Sequence, residues 1–139
     1  MPTVARALMQ RNVLTIPATM PVLEIQHLFV VAGIDGAPVI DEHGAVLGVI
    51  STIDLLRVAD QALDEDFDEG EGAEPEAALG VMTAREIATP DPVWVPPGMP
   101  ADRVAELMQR ERIQRVLVGT GGHLEGILSA FDLLRAVRA

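Results

Sequence analysis

Cysteine and lysine are absent from this chain. Without cysteine there is no disulfide, no thiolate nucleophile and no thiolate metal site, and the redox compartment is left undetermined. Without lysine, any grip on phosphate falls to arginine or to helix N-termini. Long apolar runs are missing too: no segment approaches the roughly 18 uninterrupted residues of a membrane span. The opening MPTVARALMQRN sets basic residues on both sides of a very short apolar stretch, so it lacks a signal-peptide core. A soluble, cytoplasmic protein without a membrane partner is the expectation.

Positive charge is scarce. Ten basic residues face 21 acids, for a net charge of −11, which argues against nucleic acid as a partner. The acidity is concentrated: Asp60, Asp64, Glu65, Asp66, Asp68, Glu69, Glu71, Glu74 and Glu76 fall in one stretch that contains no basic residue. The remainder is close to neutral. Asp64 to Pro75 reads as a linker or loop following a frayed helix end, a solvated spacer in character. Apolar residues make up 49% of the 139, enough for a real core.

The chain reads twice. Ile16-Pro17-Ala18-Thr19-Met20-Pro21 aligns with Val95-Pro96-Pro97-Gly98-Met99-Pro100. At the same offset Val22, Ile25, Leu28 and Phe29 fall on Ala101, Val104, Leu107 and Met108. After one deletion, the run Gly48 to Leu56 falls on Gly126 to Leu134. Each copy predicts a short strand (Val13 to Ile16; Val93 to Val95), a Pro-containing turn and an amphipathic helix with apolar residues three and four apart. Gly33 is placed to end the first helix, and Arg110 to Arg112 to occupy the last turn of the second.

A strand follows (Ala37 to Ile40; Val116 to Val118), then a hairpin turn at Asp41 to Gly44 or Thr120 to His123. The returning strand, Val46 to Ile50 or Leu124 to Leu128, is apolar on both faces and is expected to be central and doubly covered. A second helix starts at the Ser-x-x-Asp of Ser51/Asp54 and Ser129/Asp132. The fold class is therefore α/β (α+β), two β-α-β-β-α repeats packed sheet against sheet with pseudo-twofold symmetry. The division is 1–62 for the first repeat, 63–78 for the acidic linker and 79–139 for the second.

These repeats resemble the cystathionine-β-synthase (CBS) domain, and the pair resembles a Bateman module standing alone. The resemblance rests on Leu8-Met9 with Val13-Leu14-Thr15-Ile16-x-Pro, on Ile34 to Asp41, and on Gly48-Val49-Ile50-Ser51-x-x-Asp54-Leu55-Leu56. In the second copy it rests on Val81-Met82-Thr83, Ile113 to Val118 and Gly126 to Leu134. It implies a regulatory module that binds an adenosine-type nucleotide in clefts between the repeats, forms a homodimer, and acts on a separate effector protein. The ligands implied are AMP, ATP, NAD, S-adenosylmethionine or a cyclic dinucleotide; no cofactor is required. The alternative is a ligand-free dimerisation or scaffold module.

The same resemblance places Thr15 and Ile16 beside the adenine, and Trp94, the only tryptophan, at the matching position of the second copy. Arg115 stands at a position that second repeats turn toward phosphate, where the first copy has Gly36. Asp54 and Asp132 would take ribose hydroxyls, and Ser51 and Ser129 would help hold phosphate. Each of these residues also has a plainer role open to it. Ser-x-x-Asp is a capping box, Trp94 is packing, Arg115 is a solvated turn residue, and Gly48 and Gly126 mark a bulge or the close approach of another backbone. Arg57 and Arg135 read as solvated helix residues. His27, His43 and His123 have no metal-ligand spacing, and no Ser, His and acid grouping suggests a triad. The sequence points away from an enzyme.

Overall fold

A computed structural model describes residues 3–69 and 82–137, with side chains from 65 to 69 set aside. In chain order the elements are α1 (Ala5–Leu8), β1 (Ile16–Pro17), α2 (Val22–Ala32), β2 (Gly36–Ile40), β3 (Val46–Ser51), α3 (Thr52–Glu69), α4 (Ala84–Ile87), β4 (Thr89–Pro90), β5 (Trp94–Val95), α5 (Ala101–Glu111), β6 (Arg115–Thr120), β7 (His123–Ser129) and α6 (Ala130–Val137). Among the described residues no helix is long and apolar enough to cross a membrane.

Two compact units form, and they are not the sequence repeats. One is Leu14–Asp91; the other joins Met1–Val13 to Pro92–Ala139. In the first, β1 runs parallel to β2, β2 antiparallel to β3, and β3 antiparallel to β4. The second unit has β5 parallel to β6 and β6 antiparallel to β7, with Gln10 bridging to Ile127 where the first unit has β4. Each core takes in buried side chains carried over from the other repeat, one in the first unit and two in the second. Ala84 packs with Ile16, Ile25, Phe29, Val39 and Ile50, while Ala5 and Met9 pack with Val95, Val104, Met108 and Leu128.

The short arms that make this exchange, α1 and α4 with the residues after them, are absent from the β-α-β-β-α pattern expected of the sequence. They correspond to each other: Val4 bridges Pro100 and Thr83 bridges Pro21. In that register Leu8-Met9 corresponds to Ile87-Ala88, whereas the sequence motif set it against Val81-Met82-Thr83.

The helices α2 and α5 start alike. Pro21 and Pro100 sit at the N-cap; the Pro21 carbonyl accepts the N–H groups of Glu24 and Ile25, and the Pro100 carbonyl those of Arg103 and Val104. Gly33 ends α2 in the left-handed region (φ 66°), the usual glycine stop. Arg112 ends α5 with φ 56°. It is therefore outside the last turn, in a conformation costing a non-glycine residue roughly 1 kcal/mol, and only Arg110 lies in the last turn.

The first hairpin turns through Asp41, whose Oδ1 accepts the N–H groups of His43 (2.8 Å) and Ala45 (2.9 Å). Those bonds, that of Ala45 foremost, hold the Asp41 carboxyl below its ordinary pKa, with smaller help from His43 and Arg85. The second hairpin turns at Thr120 to His123, as expected. Thr120 pairs with His123, so Gly121 and Gly122, both at positive φ, form a two-residue turn. The returning strands are bulged: Val39 pairs with Gly48 but Ile40 with Val46, and Val118 with Gly126 but Gly119 with Leu124.

In β3 only Gly48 and Ile50 are fully buried, so one face is half covered rather than both being buried. The helix α3 also runs further than expected, through Asp64 to Glu69. The rest of the expected linker, 70–78, lies outside the described residues.

Candidate functional site

Each returning strand ends on a serine and hands over directly to a helix. Ser51 closes β3, and Asp54 stands in the first turn of α3; Ser129 and Asp132 repeat this at the junction of β7 and α6. A helix start leaves N–H groups without intrahelical partners, and the pair satisfies them reciprocally. The Asp54 N–H donates to Ser51 Oγ (3.4 Å), while Ser51 donates its own N–H (2.8 Å) and hydroxyl (3.1 Å) to Asp54 Oδ2. The corresponding distances at Ser129 and Asp132 are 3.3, 2.8 and 3.0 Å. The capping role is thus fulfilled in both copies.

The aspartates are buried, at 7% and 3% exposure, and a buried carboxylate needs partners for its second oxygen as well. In each unit those partners are one hydroxyl or amide from the other repeat's arm and one arginine on the following helical turn. Thr89 Oγ1 donates to Asp54 Oδ1 at 3.2 Å, and the Arg57 guanidinium lies 3.5 Å away. Gln10 Nε2 donates to Asp132 Oδ1 at 3.4 Å, and Arg135 forms a short ion pair with the same oxygen. Gln10 and Thr89 occupy equivalent places in the repeat, as do Arg57 and Arg135. The two arginines remain largely exposed, as expected of a solvated helix face, but they are ion-paired.

A carboxylate offers about four lone-pair positions. At Asp132 four donors meet them: serine N–H, serine hydroxyl, arm side chain and arginine; at Asp54 the first three do, and Arg57 completes the set as an ion pair. Among the described residues no buried side-chain nitrogen or oxygen lacks a partner.

Of the residues singled out in the sequence, Arg115 lies at the Ser129 end of its sheet, directly across from Ser129 in the β6/β7 register. Gly36 holds that place opposite Ser51. Thr15 is half-buried just before β1, and Ile16 is fully buried, paired with Val39 of β2. Trp94 sits opposite Leu117 and directs its ring toward Gly119, towards the hairpin and away from Ser129. Within its unit the structure therefore gathers Arg115, Ser129 and Asp132, but not Trp94. Gly48 and Gly126 accommodate a close approach at a bulge. A Cβ on Gly48 would overlap the Thr89 carbonyl, and one on Gly126 would press on the Met9 thioether and the Gln10 carbonyl.

Sequence reasoning missed Gln10 and Thr89. Extending the repeat alignment toward the N-terminus, Ala5-Arg6 over Ala84-Arg85, would have paired them.

Comparison with known proteins agrees with this architecture. The family model described as CBS domain matches residues 4–60 and 84–139, well over half of the chain. Arabinose 5-phosphate isomerase KdsD of Escherichia coli (strain K12) is 31% identical over 96 residues, which is 69% of this chain and 25% of that protein. The chain thus spans about a quarter of the length of the isomerases it matches. The crystal structure of the CBS-domain containing protein ATU1752 from Agrobacterium tumefaciens superposes with a TM-score of 0.80 at 26% identity, covering 99% of this chain and 95% of that one. CBSX2, solved in complex with AMP, shares the fold with a TM-score of 0.76 at 24% identity, covering 97% and 96%.

Proposed function

The chain belongs to the CBS domain family, and we propose that it is a cytoplasmic regulatory module that binds an adenosine-type nucleotide at its two aspartate sites. The observation that carries this is the buried Ser-x-x-Asp junction, present twice with the same geometry and assembled in each unit from both repeats. A carboxylate accepts both hydroxyls of a vicinal diol, which suits Asp54 and Asp132 to ribose. Ser51, Ser129 and Arg115 are the groups assigned to phosphate, and Thr15 and Ile16 those assigned to the base; Trp94, turned toward Gly119, is left to packing. The AMP complex of a protein with this fold supports the ligand class.

Binding is expected to act on a separate effector protein, with two copies of the chain associated. The apolar grooves between α2 and α3 and between α5 and α6 support self-association, since Val30, Leu56, Leu134 and Val137 are all more than half exposed there.

The test is a thermal-shift screen with AMP, ATP, NAD, S-adenosylmethionine and cyclic dinucleotides. A ligand selective for the folded state raises the melting temperature as RT ln(1 + [L]/Kd). Asp54→Asn and Asp132→Asn are each expected to reduce the shift without unfolding the protein. No shift by any of these at millimolar concentration removes the proposal.

One observation favours the second reading, a ligand-free dimerisation or scaffold module: both carboxylates already have a full set of donors from the protein. Nucleotide absorbance in the purified protein would count against that version.

A further inference from the structure

The full donor set on each aspartate has a consequence for any ligand that uses it. Two of the four donors on Asp132, the Ser129 N–H and hydroxyl, belong to the cap of α6 and sit on Oδ2. Releasing them would uncap the helix. The other two, Gln10 and Arg135, sit on Oδ1 and are the ones that can leave. Gln10 reaches it at 3.4 Å, near the outer limit of a hydrogen bond, from a residue whose side chain is otherwise exposed. Arg135 is 62% exposed and can turn back to water. Thr89 and Arg57 stand in the same relation to Asp54.

Resting on the nucleotide reading above, we infer that Gln10 and Thr89 are further residues of the nucleotide sites, displaceable donors contributed by the arm of the other repeat. Binding is then an exchange: ligand hydroxyls take Oδ1, and the arm side chain gives it up. The arm is seated by the same bond the ligand removes. Gln10 also exchanges both backbone hydrogen bonds with Ile127, at 2.8 and 3.0 Å, and Met9 beside it is buried in the core. Occupancy of Asp132 is therefore linked to the hold on Val4 to Gln10, and occupancy of Asp54 to the hold on Thr83 to Thr89. Linkage of this kind is reciprocal: what loosens the arm favours the ligand.

A residue with only a structural role would lower stability when truncated and leave ligand affinity unchanged or weaker. A displaceable donor lowers stability and raises affinity. The two signatures differ in sign.

The experiment is calorimetric titration with AMP. Gln10→Ala is measured in an Asp54→Asn background, so that only the Asp132 site titrates; Thr89→Val is measured in an Asp132→Asn background. Each background alone is the reference, and urea unfolding is run on all four. The expected result is a lower urea midpoint together with AMP affinity raised roughly two- to tenfold, the range of one intramolecular hydrogen bond no longer competed away. If AMP binds the reference proteins but Gln10→Ala and Thr89→Val leave affinity unchanged or weaker, this inference is overturned while the aspartate sites stand. If neither AMP nor any of ATP, NAD, S-adenosylmethionine and cyclic dinucleotides binds reference or wild-type protein, the nucleotide reading fails and the inference with it.

Discussion

The ring of Trp94 occupies space that a side chain at Gly119 would need: its Cζ3 is 3.0 Å from where a Cβ on Gly119 would stand. In the first repeat the equivalent positions are Thr15 and Ile40, so the bulk lies on the opposite member of the pair. The difference between Thr15 and Trp94 is thus in part an exchange of volume between neighbouring strands. Gly119→Ala would press on both the indole and the His123 carbonyl. It should cost about 3 kcal/mol, the upper end for overpacking, because the His123 carbonyl is backbone, measured by urea unfolding. The emission of Trp94, the single tryptophan, should shift toward longer wavelength as the ring is pushed outward.

Gly48 and Gly126 are equivalent in the repeat but face different obstacles. At Gly48 the atom in the way is the backbone carbonyl of Thr89; at Gly126 the nearest atoms belong to the flexible Met9 side chain, and the Gln10 carbonyl, at 2.9 Å, is grazed rather than overlapped. Backbone cannot turn aside and a thioether can. Gly48→Ala should therefore destabilise by about 2–3 kcal/mol and Gly126→Ala by about 1 kcal/mol less. Equal costs in paired denaturation curves would contradict the asymmetry.

Asp41 gives a pH signature. Its folded-state pKa is lowered, chiefly by the Ala45 N–H, so the unfolded chain binds the proton more readily. The stabilisation is fully present above the ordinary carboxylate value of about 4, and it is lost as the pH falls through the lowered folded-state value. Asp41→Ala should unfold at lower urea than the wild type at pH 7. The gap should begin to narrow below about pH 4 and go on narrowing as the pH falls through the lowered folded-state value.

Much of the fold was legible because its signals are local. The three-and-four spacing of Val22, Ile25 and Phe29, the Gly33 stop and the Ser-x-x-Asp cap all act within a few residues, and each forms as the sequence implied. The arms were not legible, because their partners are remote. Gln10 meets Asp132 across 122 residues and Thr89 meets Asp54 across 35, and no periodicity records such pairings. Arg112 carries no mark of the left-handed conformation that its twin Gly33 announces. The acid run suggested a loop from Asp64, yet no glycine or proline lies between Thr52 and Gly70, and nothing local stops α3 short of Glu69.

The most direct measurement of the central claim is calorimetric titration of AMP into the wild-type protein, into Asp54→Asn, into Asp132→Asn and into the double variant. Saturable binding in the wild type, reduced by each single substitution and abolished in a folded double variant, is the predicted result. Saturable binding that persists undiminished in the double variant, or none in the wild type at millimolar AMP, would contradict it.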